Sequence, residues 1–335
     1  MVKILTIDSG SFISKMMFQD INMVPNAIVT SSTYNIQNPS FRFLNKVHMS
    51  GKISDIIHLP FKEIWNSRCI LEQVRNDKID EWIVILTNVS AKKIPCSYLM
   101  KFNKMNNVHL ILVCVDSFSD KSLNPEEIMK CVNFDLIYSF DIDDCKTYDL
   151  IFTQALYSQI KVDNDVISME KDLFFVGRAK DRLVLLQDLA RLATKYDIKC
   201  DFYILGVKKM DRIEIPGITY LDGVMPYNEV FSKMLRAKGI IDFVRLGQSG
   251  LTVRFFEAVF YNKLLLSNNP NVRNNKYFDD RWMYCGTDYE DFFQRVKETD
   301  IHDIDYGYQM DYSPINLLRD IEARLGLATC GVSMK

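Results

Sequence analysis

The chain has 335 residues, 48% of them hydrophobic and 25% charged, with 41 basic against 43 acidic side chains and a formal net charge of -2. That length exceeds one ordinary hydrophobic core and predicts two domains of about 150 residues each, and the apolar content excludes a disordered chain. Charges of both signs are intermixed, which excludes the broad basic stripe of a duplex-binding protein, so no nucleic-acid partner is expected.

In chain order, the first ten residues carry one lysine and a short apolar run interrupted by Asp8, too short for a signal-peptide core. Residues 2–7, 82–86, 108–115 and 136–140 are short apolar runs that predict buried strands. Between them, residues 64–76 place Trp65, Cys69 and Val74 on one helical stripe. Residues 125–131 open with Asn124 as N-cap and Pro125 in the first turn. Residues 24–61 are rich in Asn and Ser and too weakly periodic to assign. The eight cysteines stand singly, without C-x-x-C pairs, and are expected to be reduced thiols in a cytoplasmic protein. The four histidines show no metal-ligand spacing; His48 and His58 fall in the unassigned stretch. No run approaches the roughly 20 apolar residues of a membrane span, so any membrane contact is expected to be peripheral, at the inner face.

Residues 161–171 are polar and break periodicity at 162–166, which sets the domain boundary: 1–160, then 161–313, then a helix and tail over 314–335. Strands are predicted at 173–176, 201–205, 218–221, 239–244 and 263–267, and helices at 181–196, 228–237, 251–261 and 314–325. This alternation predicts a doubly wound α/β domain that binds ligand at the carboxyl ends of its strands. Leu185, Leu189, Leu192 and Tyr196 form the expected core stripe of helix 181–196. The last helix is expected to pack back on the first domain.

Two loops carry the chemistry. Gly177, Arg178, Lys180 and Arg182 follow the strand 173–176, a glycine and three cations at a sheet edge. A diphosphate fits there, held by backbone N–H groups and charge-assisted bonds; a solvated turn is the alternative. The glycines of a dinucleotide fingerprint are missing. After strand 239–244 come Gln248, Ser249, Gly250, Leu251, Thr252, Arg254 and Glu257. Gly250 permits close approach of backbone to a ligand, and Thr252 is a plausible cap. Arg254 and Glu257 lie three apart on one helical face, where an exposed ion pair of little consequence is the alternative. Asp8 and Asp116 follow N-terminal strands and are the candidate general bases, with turn capping as the alternative for each. Tyr220 and Tyr227 are candidate nucleobase contacts, with rim packing as the alternative.

The run 174–182, the strand 202–205, residues 240–242, the block 248–258 and residues 263–269 resemble, in that order, bacterial glycosyltransferases of capsule and lipopolysaccharide biosynthesis. The similarity extends to 134–141 and 150–158, and the block 248–258 is its most specific part. The resemblance implies a GT-B architecture of two Rossmann-like domains facing a cleft, with the donor nucleotide on the C-terminal one. It places the diphosphate on Arg178 and Lys180 and the ribose on Glu257. It also implies transfer of a sugar from a nucleotide-sugar donor to a hydroxyl of a saccharide or lipid-linked saccharide. No cofactor and no metal are expected, since GT-B enzymes of this kind usually need none and Asp141-Ile-Asp143 is the nearest approach to a D-x-D triplet. Retaining relatives often carry a second Glu eight residues before the ribose-binding one. Ser249 stands there, beside Gln248, which leaves the stereochemical outcome open. The alternatives are a GT-B-fold sugar-nucleotide 2-epimerase and a non-catalytic sugar-nucleotide-binding protein.

Overall fold

The computed structural model describes residues 1–10, 12–31, 38–48, 71–77, 80–115, 118, 125–162, 168–244, 250–286 and 288–327. The chain divides into two compact units, one of Met1–Ile160 with Met310–Lys335 and one of Lys161–Gln309.

The first unit is built on β1 (Val2–Asp8), β2 (Ala27–Ser31), β3 (Glu81–Thr87), β4 (Val108–Cys114), β5 (Leu136–Ser139) and β6 (Ile151–Phe152). They form one sheet in the order β2-β1-β3-β4-β5-β6, with every neighbouring pair parallel. A parallel sheet covered on both faces needs apolar residues at odd and even positions alike. β3 shows the pattern: Trp82, Val84 and Leu86 join one cluster with Leu5, Leu110 and Leu112, and Ile83 and Ile85 join another with Ile4, Ile111 and Val113.

The helix Pro314–Leu325 completes that second cluster with Ile315, Leu317, Leu318 and Ile321, so the late helix does return to the first unit. Polar contacts fix its position. The Ser313 hydroxyl, its N-cap, donates to the Asp20 carboxylate (2.6 Å), and the Tyr138 hydroxyl donates to Asp320 (2.7 Å).

The second unit holds β7 (Lys171–Arg178), β8 (Cys200–Leu205), β9 (Ile218–Leu221), β10 (Ala237–Asp242), β11 (Leu264–Ser267) and β12 (Met283–Tyr284). Their order is β12-β11-β10-β7-β8-β9, again parallel throughout. Gly239 lies mid-strand because a Cβ there would come within 3.1 Å of Leu173 and 3.2 Å of Leu264. Among the described residues no helix is long and apolar enough to cross a membrane.

Several boundaries differ from those the sequence predicts. The helix expected at 181–196 opens with a 3-10 turn, Lys180–Arg182, and becomes α-helical over Leu183–Lys195. Its buried residues include Leu186, Leu189, Ala190 and Ala193. Leu185, Leu192 and Tyr196 are only half-buried. The segment has leucines at 183, 185, 186, 189 and 192, so two stripes fit and the sheet selects between them. The helix expected at 228–237 is Tyr227–Leu235, because Ala237 already begins β10. The helix expected at 125–131 starts at Glu126 with Pro125 in the N-cap position, and Asn124 lies outside the described residues. Of helix 64–76 the described part is Leu71–Asn76; Trp65 and Cys69 lie outside it. The unassigned stretch contains β2 and the helix Pro39–His48, and the helix Tyr289–Glu298 has no counterpart among the expected elements.

Ile321 has no exposed surface and sits in the second cluster of the first unit. Ile321→Ala is therefore expected to destabilise that unit by about 2–5 kcal/mol, seen as an earlier transition in urea unfolding. A change within error would show that the helix Pro314–Leu325 contributes little to the core.

Candidate functional site

In a doubly wound sheet, ligands bind outside the carboxyl ends of the strands, at the point where strand order reverses. In the second unit β8 and β9 lie to one side of β7, and β10 to β12 to the other. The reversal therefore falls between β7 and β10. Their ladder runs from Ala237↔Lys171 to Ile240↔Phe174 and stops, while β7 stays paired with β8 as far as Arg178↔Leu205. The two strands part beyond Phe174, at the edge where both predicted loops emerge.

Arg182 bridges the parting. One terminal nitrogen of its guanidinium donates to the Arg178 carbonyl (2.6 Å) and the other to the Phe243 carbonyl, while the group lies 5.9 Å from the Phe175 ring. Charge-assisted bonds of this kind contribute about 1.5–3 kcal/mol each. Arg182, expected beside Arg178 and Lys180 as a diphosphate cation, thus points at the main chain of the sheet. At Gly177 a Cβ would crowd the Phe175 ring at 3.1 Å but lie in ordinary contact with the Arg182 guanidinium at 3.8 Å. Arg178 and Lys180 are exposed. Lys180 has φ 46°, a left-handed conformation uncommon outside glycine, and the reversal it makes separates the outward Arg178 and Lys180 from the inward Arg182.

On the β10 side, Gln248 and Ser249 lie outside the described residues. Gly250 and Leu251 are half-buried, and the Gly250 carbonyl accepts from Asn269 Nδ2 (3.0 Å). Thr252 is the N-cap of the helix Val253–Phe260, its hydroxyl accepting from the Arg254 N–H (3.0 Å). The same hydroxyl donates to Asp242 Oδ1 (2.7 Å) at the end of β10. Asp242 is 3% exposed and also accepts from the Ser267 hydroxyl (3.4 Å). Burial pushes its carboxyl up to about 6, although Thr252, Arg254, Ser267 and Arg182 all favour the ionised form. The sequence holds the signal for this residue, a carboxylate closing an apolar strand. That same signal singled out Asp8, but Asp242 was missed.

Glu257 has no exposed surface at all. One carboxylate oxygen accepts from the Tyr227 hydroxyl and the other pairs with Arg254, whose guanidinium lies 5.9 Å from the Phe174 ring. The exposed ion pair that the sequence allows is therefore one between a half-buried Arg254 and a fully buried Glu257, and removing Arg254 would strand a buried carboxylate. Tyr227 stacks on Phe231 at 6.1 Å. Tyr220 is tied to its own edge of the sheet: its hydroxyl donates to the Ile213 carbonyl (3.0 Å) and accepts from Gln187 Nε2 (3.0 Å).

In the first unit the strand order reverses between β1 and β3, and Asp8 ends β1. It is buried and accepts from the Gly10 N–H (2.5 Å), so it does cap a turn. Burial raises its carboxyl above the ordinary value, opposed by the Gly10 N–H, Lys15, Ser31 and Lys93. Asp116 lies outside the described residues, as does His58. Asp141 caps the helix Ile142–Tyr148 through the N–H groups of Asp143 (2.9 Å) and Asp144 (3.1 Å), which accounts for the apparent D-x-D.

No protein-family model matches the chain, and no curated protein matches it. Solved structures do. An alpha-glucosyltransferase in complex with UDP and a 13-mer DNA aligns over 97% of this chain and 100% of its own, at a TM-score of 0.55 and 12% identity. The catalytic domain of starch synthase IV from Arabidopsis thaliana, bound to ADP and acarbose, aligns over 97% and 98%, at a TM-score of 0.57 and 9% identity. The chain has the GT-B fold. At these identities the likeness is one of fold. In this GT-B chain each half is a Rossmann-like sheet, and the loops singled out by sequence emerge at the reversal point of the second one.

The titration of Asp242 makes stability depend on pH. Unfolded, its carboxyl titrates near 3.8; folded, it holds its proton to about 6. Between those values the folded state binds more protons, so stability falls as pH rises through the window, and above it the buried charge costs about 3 kcal/mol. Asp242→Asn keeps an acceptor for Thr252 without the charge. It is expected to be more stable than the parent by about 2–3 kcal/mol above pH 7 and nearly equal to it at about pH 4, read by urea unfolding across the range. A difference independent of pH would contradict the burial of this carboxyl.

Proposed function

We propose that this GT-B chain is a glycosyltransferase that moves a sugar from a nucleotide-sugar donor to a hydroxyl of a saccharide or lipid-linked saccharide in surface polysaccharide biosynthesis. The observation that carries this reading is the parting of β7 from β10, with two outward cations on one lip and a capped helix N-terminus on the other. Glycosyl transfer builds negative charge on the departing diphosphate as the glycosidic bond breaks. Arg178, Lys180 and the N–H groups at the start of the helix Val253–Phe260 are suited to receive that charge, which would let transfer proceed without a metal.

Glu257 is the ribose ligand in this reading. Its Oε1 already accepts a hydrogen bond from the Tyr227 hydroxyl, so donor binding exchanges one hydroxyl for another at the same oxygen, while Arg254 holds the carboxylate in place. Asp8 is assigned as the base that deprotonates the acceptor; a carboxyl raised by burial is a stronger base than one in water.

A panel of nucleotide sugars, assayed for nucleoside diphosphate release with and without acceptor, tests the activity. Acceptor-dependent release that persists in excess EDTA is expected. Interconversion of the donor alone would make the protein an epimerase, and binding without turnover a non-catalytic one. Replacing Arg178 or Lys180 by Ala should lower kcat by about 100- to 1,000-fold with a smaller change in KM, since a contact to the growing charge acts in the transition state. A double variant with parental kcat at saturating donor would move the diphosphate elsewhere.

A further inference from the structure

In the first unit, two cysteines distant in sequence are brought together. Cys96 opens the helix Cys96–Leu99 behind Pro95, and Cys131 closes the helix Glu126–Cys131. Both segments pack on the same apolar cluster, one through Ile94, Leu99 and Phe102 and the other through Ile128 and Val132. Asn103 then ties them: its Nδ2 donates to the Asn133 carbonyl (2.5 Å) and its Oδ1 accepts from the Asn133 N–H (3.1 Å). Held this way, the Cys96 and Cys131 thiols share a hydrogen bond.

Packing alone accounts for one of the two. Cys96 is half-buried and lies against the cluster, as a small apolar residue would. Cys131 is exposed, where a thiol adds nothing to a core and meets whatever is dissolved around it. Cys114 and Cys200, by contrast, are buried, and burial pushes their thiols up to about 12, which leaves them inert. Two sulfurs in hydrogen-bond contact, on segments pinned to each other, are placed to bond covalently with no rearrangement of the fold.

We propose that Cys96 and Cys131 form a dithiol site that a low-molecular-weight disulfide oxidises to an intramolecular disulfide. The exposed Cys131 reacts first. Its thiolate attacks one sulfur of oxidised glutathione and expels one glutathione thiolate; the Cys96 thiolate then attacks the Cys131 sulfur of the mixed disulfide and expels the second. Two electrons pass from the cysteine pair to oxidised glutathione, and the two thiol protons leave with the two glutathione molecules released. Burial, followed by the hydrogen bond and charge of Cys131, raises the Cys96 thiol above its ordinary value. The contributions of Cys131 end once its sulfur is in the mixed disulfide, so Cys96 ionises most readily at the step that needs it. Neither sugar nor nucleotide takes part, and the site stands or falls apart from glycosyl transfer.

The full chain is incubated with oxidised glutathione, alkylated and mapped by mass spectrometry, with dithiothreitol-treated chain as the reference. A link between Cys96 and Cys131 is expected, reversed by dithiothreitol. Cys96→Ser should stop at one glutathione on Cys131, and Cys131→Ser should acquire no link at Cys96. Closing a loop of about 36 residues should raise the unfolding temperature of the oxidised parent by roughly 5–15 °C over the reduced chain, with no such rise in either variant. A parent left fully reduced, a parent that keeps glutathione on Cys131, or a link from either residue to another cysteine, within or between chains, would each overturn the site. So would a link that forms only in urea, or a linked parent that unfolds no higher than the reduced one.

Discussion

The second unit's candidate site depends on one side chain being shared between two strands that have stopped pairing. Main-chain carbonyls stand at the parted ends, Arg178 closing β7 and Phe243 just past β10, and neither can be satisfied by a ladder partner across the gap. Arg182 supplies donors to both. A guanidinium suits the task because its N–H groups are fixed in one plane and its charge is held at every relevant pH. With that bridge in place the strands can diverge without leaving polar main chain buried and unpaired.

Below the bridge lies a cluster of charge that an ordinary core would exclude. Asp242 and Glu257 are almost wholly withdrawn from solvent, and Arg254 and Arg182 act on the former while Arg254 pairs with the latter. Such a cluster contributes little net stability, since desolvation of the ions offsets most of their attraction. It does fix geometry. Thr252 is oriented by Asp242, and the helix Val253–Phe260 therefore begins at a defined point relative to the end of β10.

How much of this was legible in the sequence followed from how each residue is surrounded. β3 and β4 are buried on both faces and read as apolar runs, interrupted in β4 only by His109 near its start; β2, an edge strand with polar Thr30 and Ser31, does not. The two loops were legible because each follows an apolar strand with glycines and charge. Which of Arg178, Lys180 and Arg182 turns inward was not, because it depends on the left-handed backbone of Lys180 and on a carbonyl 61 residues away. The Tyr227 contact with Glu257 was hidden for the same reason: it spans 30 residues, and neither side chain announces the other. Helical stripes, by contrast, were legible only to within one position wherever leucines crowd both candidate faces.

The return of Pro314–Leu325 to the first unit has a consequence for how the chain is made. The second unit is continuous in sequence, from Lys161 to Gln309, and all its strands exist once Tyr284 has been synthesised. The first unit is not continuous. Its six described strands are finished by Phe152, yet Ile4, Ile83, Ile85 and Ile111 await a covering helix that is translated about 160 residues later, a delay of about 8–30 seconds for a ribosome adding roughly 5–20 residues each second. The half that is synthesised first is thus the half that matures last, with one apolar face of its sheet left open throughout translation of its neighbour.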